Sequence, residues 1–206
     1  MSEVRIDDLN DAIYNILRCK QSGSFKCPTT HRPAMDLLAR VRTVPDFPVP
    51  GILFYDVASL LEQPDAWQEV LDRLELQVEA WRPDVIAGIE SRGFLLAAPL
   101  ADRLGLPMVM IRKPGKLPGA TLTHTYDLEY GADALELQTS ALEAGQRVVI
   151  VDDLLATGGT LSAAVTLCAS TGAEVVGCGL IIELPDLGGR AAVKAPVAAL
   201  LAPTPA

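Results

Sequence analysis

Between Arg147 and Ser162 the chain reads RVVIVDDLLATGGTLS, an order of residues that few folds accommodate. Val148, Val149, Ile150 and Val151 make a β-branched apolar run, which predicts a parallel strand buried on both faces. Two carboxylates, Asp152 and Asp153, follow at once, then Leu154, Leu155, Ala156 and a small polar turn, Thr157-Gly158-Gly159-Thr160. A helical period begins after the turn, with Leu161, Ala164, Val165 and Cys168 on one side. A turn entering a helix presents backbone N–H groups without intrahelical partners, and the helix dipole adds positive potential there. Gly158 and Gly159 allow close backbone approach and positive φ, and Thr157 and Thr160 add hydroxyl donors. This is a cradle for a phosphate monoester. The two aspartates repel a phosphate but accept hydrogen bonds from sugar hydroxyls beside it, so the order points to a phosphorylated sugar. The turn has no lysine and does not match the GxxxxGKS/T nucleotide loop, and the chain has no GxGxxG.

Composition narrows the classes further. With 206 residues, half of them hydrophobic, the chain can bury a sizeable core in one domain with room for an appendage. A net charge of −9 disfavours non-specific binding to nucleic acid or anionic membrane. No apolar run is long enough to span a bilayer and the N-terminus lacks a basic-then-apolar leader, so a cytoplasmic setting is expected. None of the four cysteines, Cys19, Cys27, Cys168 and Cys178, forms a CxxC pair. Cys168 and Cys178 lie in apolar patterns and are expected as reduced small hydrophobes. The spacing of Cys19, Cys27 and His31 fits no common zinc pattern, and no protein metal site is expected.

Residues 1–34 differ from the rest. Ile6 to Arg18 has one apolar side, and KQSGSFKCPTTHRP after it is polar and without period, which reads as a weakly ordered extension. Helical character resumes at Met35. Val44 to Gly51 carries three prolines and a glycine, an extended turning segment leading into a strand-like run, Ile52 to Asp56. Pro64 to Trp81 is expected as a helix, with Trp67, Val70, Leu71, Leu74, Val78 and Trp81 on one face and both tryptophans packing. Asp84 to Ile89 predicts a buried strand, followed by a polar turn and a helix through Leu104 stopped by Gly105. Pro107 to Ile111 predicts a third strand, running into Arg112, Lys113 and Lys116, three cations within five residues of an acidic chain. Open α/β sheets place ligands at such strand ends. Thr121 to Gly131 reads as a hairpin arm or flap, with His124 an ordinary loop residue, and Ala134 to Gln138 as a strand returning to the sheet. Glu143 to Gln146 is a turn, Glu174 to Ile182 a strand, Leu187 to Lys194 a short helix and Val197 to Ala202 an edge strand. Strands alternating with helices imply an α/β fold with a mainly parallel sheet flanked by helices.

The central run, a hydrophobic strand, Asp-Asp, two residues and then Ala-Thr-Gly-Gly-Thr, resembles the signature of the phosphoribosyltransferases, which use 5-phosphoribosyl-1-pyrophosphate (PRPP). GIESRGF resembles that family's pyrophosphate loop, with Glu90 where Asp is usual, and RKPGKLPG resembles its cationic loop. PDFPVPGILF-x-D resembles the base-binding hood of adenine phosphoribosyltransferases. The four segments occur in the family's order between Pro45 and Thr160.

The resemblance implies a type I phosphoribosyltransferase fold over residues 35–206, with a small N-terminal hood, a flexible catalytic loop and a non-proline cis peptide at Glu90–Ser91. It implies transfer of the phosphoribosyl group from PRPP to adenine in purine salvage, giving AMP and pyrophosphate, with Mg²⁺ carried on PRPP, in a homodimer. Asp152 and Asp153 would hold the ribose, and Ala156, Thr157, Gly158, Gly159 and Thr160 the 5′-phosphate. Ser91, Arg92, Arg112, Lys113 and Lys116 would serve the pyrophosphate, with Arg92 also catalytic. Leu53, Phe54 and Tyr55, with Leu154 opposite, would bind adenine; Tyr55 stands where many members carry a basic residue. Glu129, beside Tyr130, would handle a purine proton. Two alternatives stand beside this: another purine base such as hypoxanthine or xanthine, and a non-enzymatic PRPP-sensing regulator.

Overall fold

A computed structural model of the chain describes residues 35–128 and 131–203. The helical character expected from Met35 amounts to one 3-10 turn, Leu38–Arg40. The chain then enters strand β1 (Arg42–Pro45), which pairs antiparallel with β2 (Leu53–Asp56). Val44 precedes Pro45 and is biased toward extended backbone, which ends any helical run there. Arg42 closes the hairpin, giving ion pairs to Asp56 and Glu62. The connecting segment carries a cis Phe47–Pro48 peptide, and the Gly51 N–H donates to Asp46 Oδ1 at 2.7 Å.

Helix α1 (Ala58–Leu61) leads to α2 (Pro64–Ala80), which has proline in its first turn and buries Ala66, Val70, Leu71, Leu74 and Val78. Trp81 caps α2, and its ring lies against Gly177. Strand β3 (Val85–Ile89) is wholly buried, helix α3 (Gly93–Leu104) stops at Gly105 as expected, and β4 (Met108–Ile111) follows.

Strands β5 (Thr121–Leu128) and β6 (Gly131–Gln138) pair with each other over their full length. The strand expected to return to the main sheet therefore stays in its own hairpin. Its backbone is joined to the end of β4 by a bridge between Arg112 and Glu136, with N–H···O distances of 2.9 and 2.7 Å. The alternation that suggested a sheet strand has another use: Leu135 and Leu137, alternate residues of β6, are fully buried in the core.

Strand β7 (Arg147–Leu155) continues through the acidic pair, because β8 (Glu174–Glu183) is long enough to pair with it as far as Leu155. Helix α4 (Gly159–Ala169) lies between them in sequence. The short helix expected over Leu187 to Lys194 is instead two 3-10 turns, Pro185–Leu187 and Gly189–Ala192, broken at Gly188 with φ 64°. Strand β9 (Val197–Leu201) forms the far edge.

The main sheet has the order β4-β3-β7-β8-β9, with every neighbouring pair parallel. Val148 and Ile150 face a cluster shared with Leu161, Ala164 and Cys168 of α4. Val151 lies on the opposite side, near Leu74 and Val78 of α2 at Gly179. Each such Val, Leu or Ile, fully withdrawn from water, contributes about 1.5–3 kcal/mol before the entropy of ordering is counted. From β3 the chain passes outward to β4, and β7 returns on the other side of β3. The carboxyl ends of β3 and β7 therefore flank a topological switch point, where open parallel sheets bind ligands.

Candidate active site

Residues 90–92 after β3 and residues 152–158 around the end of β7 meet at that switch point. The first residue of α3 lies directly on β7. A Cβ on Gly93 would stand 2.6 Å from the Val151 carbonyl and 3.1 Å from Asp152 Oδ1. Asp153 is 5% exposed and is paired with Arg92, whose Nε donates to Asp153 Oδ2. The Asp153 N–H donates to Asp152 Oδ1 at 2.9 Å. Burial, and then the neighbouring Asp153 charge, push the Asp152 carboxyl well above the ordinary Asp range.

The turn that follows is held by a second glycine turn distant in sequence. Gly158 has φ 85°, and a Cβ there would lie 2.3 Å from the Gly189 carbonyl oxygen. A Cβ on Gly189 would lie 2.1 Å from the Ala156 carbonyl oxygen. The two backbones touch, and neither position has room for a side chain. Arg190 fixes the second turn, with Nε donating to Glu183 Oε1 at 2.9 Å and Nη1 to the Val197 carbonyl at 2.6 Å. Helix α4 starts at Gly159, and the Ser162 N–H already donates to the Gly158 carbonyl at 2.8 Å. The amides before Ser162 open the helix and lack intrahelical partners, which leaves them as donors for an anion.

The loop after β4 supplies the cations. Glu90 accepts from Arg112 Nε at 3.1 Å and Nη2 at 3.0 Å, and from the Lys113 N–H at 3.0 Å. The hydrogen bond from Arg112, reinforced by the Lys113 N–H, holds the Glu90 carboxyl below its ordinary range. Glu90 thus anchors the cationic loop to the end of β3. Arg112 Nη1 donates to the Lys116 carbonyl at 2.9 Å, and the Gly115 N–H to Glu136 Oε2 at 2.9 Å. The Lys113 ammonium is paired with Asp133 of β6, while Lys116 and Ser91 are exposed. The Glu90–Ser91 peptide is cis.

Leu53, 44% exposed, with Phe54 and Tyr55 forms part of the two-stranded hairpin, where Phe47 and Phe54 meet edge to face at 5.0 Å. Leu154 belongs to the parallel sheet, next to Asp153. A small apolar pocket opens beside the Arg92–Asp153 pair, lined also by Val57, Leu61, Trp67, Leu95 and Ile181.

The profile of the phosphoribosyl transferase domain matches residues 56–196, a span that holds β3, β7, the glycine turn and the cationic loop. The chain belongs to the phosphoribosyltransferase family. Within that family it is 60% identical over 168 residues to an adenine phosphoribosyltransferase of Rhodospirillum rubrum, covering 82% of this chain and 98% of that one. It is 58% identical over 167 residues to one of Gluconacetobacter diazotrophicus, covering 81% and 95%. Among solved structures it resembles the adenine phosphoribosyltransferase of Saccharomyces cerevisiae complexed with D-2,5-dideoxy-2,5-imino-altritol 1,6-bisphosphate and adenine. The TM-score is 0.78 at 41% identity, over 82% of this chain and 98% of that one. It also resembles the Giardia lamblia enzyme complexed with 9-deazaadenine, with a TM-score of 0.77 at 34% identity over 82% and 97%.

Several phosphoribosyltransferase positions singled out in the sequence come together around one strand end: Asp152, Asp153, Arg92 and the Ala156–Thr160 turn. Glu90 holds Arg112 and Lys113 at the adjacent end of β3. Glu129 and Tyr130 lie outside the described residues, as do Cys19, Cys27 and His31. Two parts of the site were not anticipated, the Gly188–Gly189 turn behind the Ala156–Thr160 turn and Asp133 under Lys113. The paired glycines were a usable signal for the first, obscured by reading a helix through them. Nothing local marks Asp133, because its partner is 20 residues away across the hairpin.

Proposed function

We propose that this chain transfers the 5-phosphoribosyl group from PRPP to adenine, giving AMP and pyrophosphate in purine salvage. The observation that carries this reading is the acidic pair near the end of β7, Asp153 buried against Arg92 and Asp152 half-buried beside it, a few residues before an anion-cradling turn. The names of its relatives and the adenine bound to a structural neighbour support the choice of base.

The bond between C1′ and the pyrophosphate oxygen breaks with its electrons leaving on pyrophosphate, while adenine N9 forms a bond to C1′ and gives up its proton. Positive charge develops on the ribose, as in glycosidic transition states. We assign Asp152 and Asp153 to the ribose hydroxyls, where their charge favours that transition state. Ala156, Thr157, Gly158, Gly159 and Thr160 are assigned to the 5′-phosphate, which fixes C1′ in place. Ser91, Arg92, Lys113 and Lys116 are assigned to the pyrophosphate, with Arg112 setting the loop through Glu90 and facing the same group. Asp153 anchors Arg92 through Nε, and its Nη groups are the ones we assign to the leaving group. Leu53, Phe54, Tyr55 and Leu154 are assigned to adenine, and Glu129 to its proton.

Mg²⁺ fits this donor set as a passenger on the substrate. The described residues contain no cluster of three or more His, Cys, Asp or Glu, and two adjacent carboxylates beside substrate phosphates suit a hard cation that keeps much of its water. When bound, Mg²⁺ supplies charge neutralisation at the pyrophosphate. We further infer a homodimer, residues 1–34 as an appended segment, and a cytoplasmic setting, which the free thiols of buried Cys168 and Cys178 suit. No helix among the described residues is long and apolar enough to cross a membrane. The test is an assay with PRPP, Mg²⁺ and a panel of bases, following nucleotide formation. AMP from adenine is expected; preference for hypoxanthine or xanthine, or no nucleotide from any base, overturns the reading.

A further inference from the structure

From Arg112 to Gly115, each backbone N–H of the cationic loop donates to a glutamate. The Arg112 N–H donates to the Glu136 carbonyl at 2.9 Å, and the Glu136 N–H donates back to the Arg112 carbonyl at 2.7 Å. The Lys113 N–H donates to Glu90 Oε2 at 3.0 Å. Pro114 has no N–H. The Gly115 N–H donates to the side chain of Glu136, to Oε2 at 2.9 Å, from a backbone with φ 74°. Glu90 comes from the end of β3 and also holds the Arg112 side chain. Glu136 comes from β6 and has no part in the assignments above.

Strand alternation explains the reach of Glu136. Leu135 and Leu137 are fully buried in the core, so Glu136 between them points to the other face of the hairpin. Its backbone is bridged to Arg112, which brings the loop after β4 within range of its side chain. Thr123, its partner on β5, donates its hydroxyl to Glu136 Oε1 at 3.4 Å. The two carboxylate oxygens therefore have separate donors, and the one facing the loop is oriented. Both donors are neutral. A carboxylate on the Gly115 N–H fixes the turn without occupying a lysine, in contrast to Asp133, which is paired with Lys113. Just beyond Gly115, Arg112 Nη1 holds the Lys116 carbonyl at 2.9 Å, and the Lys116 side chain is exposed. The Arg112 hydrogen bond leads the causes that lower the Glu90 carboxyl, and the Lys116 charge is among them, so Lys116 lies within electrostatic range of the end of β3.

We propose that Glu136 is a positioning residue for the pyrophosphate end of the site: by accepting the Gly115 N–H it fixes the Pro114–Gly115 turn, which presents the Lys116 ammonium from a preset loop. Glu90 and Glu136 grip one stretch of backbone from opposite sides. A turn already fixed loses less conformational freedom when its ligand binds. This rests on the phosphoribosyl-transfer reading above, since it needs pyrophosphate at Lys116.

Calorimetric binding of Mg²⁺-pyrophosphate and, separately, of AMP to the full chain tests this in the wild type, Glu136→Asp and Glu136→Gln. Aspartate keeps the charge but is one methylene shorter and loses Gly115. Glutamine keeps the reach and an acceptor oxygen but has no charge. Glu136→Asp should weaken pyrophosphate about five- to tenfold, the scale of one hydrogen bond, while Glu136→Gln stays within about twofold of the wild type. AMP carries no pyrophosphate and should bind all three within about twofold. A merely structural role weakens both ligands together, and that result overturns the proposal. So does pyrophosphate binding that is unchanged in Glu136→Asp, or weakened as much in Glu136→Gln as in Glu136→Asp. AMP formation from PRPP and adenine by the wild type is read separately. If it is present while Glu136→Asp binds pyrophosphate normally, only the role of Glu136 falls. If it is absent, the functional reading falls, and the pyrophosphate titrations still decide Glu136.

Discussion

A charge on Asp152 is unfavourable: burial of its carboxyl and the Asp153 carboxylate beside it push it well above the ordinary Asp range, with the Asp153–Arg92 pair next to it. A carboxyl raised in the folded state is neutral in both states at low pH and costs nothing there. As pH rises through the ordinary Asp range toward the raised folded value, the unfolded chain ionises first and stability falls. Above the folded value the loss is complete. Asp152→Asn should therefore raise the melting temperature at neutral pH and leave it unchanged at a pH below the ordinary Asp range, as read by thermal unfolding at the two conditions. The same residue is assigned to the ribose, so activity should move the other way. With both Asp152 and Asp153 changed to Asn, kcat should fall about a hundredfold or more, because each charge-assisted hydrogen bond made in the transition state is worth about 1.5–3 kcal/mol. A folded double variant with near-normal kcat would remove both from the catalytic role.

At the scale of elements, the Ala156–Thr160 turn, assigned to the 5′-phosphate, depends on backbone from outside its own strand-turn-helix unit. Gly158 and Gly189 meet at distances that exclude any Cβ, and the Glu183–Arg190 pair holds the second turn in place. Gly189→Ala should push the Ala156–Gly158 backbone out of position. The expected result is a loss of about 1–3 kcal/mol in denaturant unfolding, typical of overpacking, with a KM for PRPP raised more than kcat is lowered. An unaltered KM in the folded variant would separate the second turn from phosphate binding. On the other side of the switch point, Glu90 does comparable work for the cations by holding both the Arg112 side chain and the Lys113 backbone.

For the whole molecule, the segments assigned to chemistry all follow Met35, and the family profile begins at residue 56. The unit from Leu37 to Ala206 is compact by itself, with a buried five-stranded core. A chain beginning at Met35 would have 172 residues, ample for one α/β domain. It should fold cooperatively and form AMP within a fewfold of the full chain, as measured by thermal unfolding and the adenine assay. Loss of activity or of dimerisation on truncation would instead assign the first 34 residues a docking role.

The local pattern of residues by itself determined the parallel strands, the helices from Pro64, Gly93 and Gly159, and the acidic pair before the phosphate turn. Each of these is a matter of near neighbours: an apolar run of strand length, a 3.6-residue period, a glycine turn opening a helix. Periodicity does not say what a residue will meet across the fold. The alternation of Ala134 to Gln138 was equally compatible with a place in the main sheet and with a hairpin, and pairing along the whole of β5 decided it. The residues after β8 have a helical composition, but Gly188 divides them into two 3-10 turns. Only the tertiary structure brought Arg92 to Asp153, 61 residues away, Lys113 to Asp133, 20 residues away, and Gly158 to the Gly189 carbonyl. The first contact arises where β3 and β7 lie side by side, the second where the loop after β4 meets the β5–β6 hairpin, and the third where the turns after β7 and β8 meet, and no property of any one segment specifies those adjacencies.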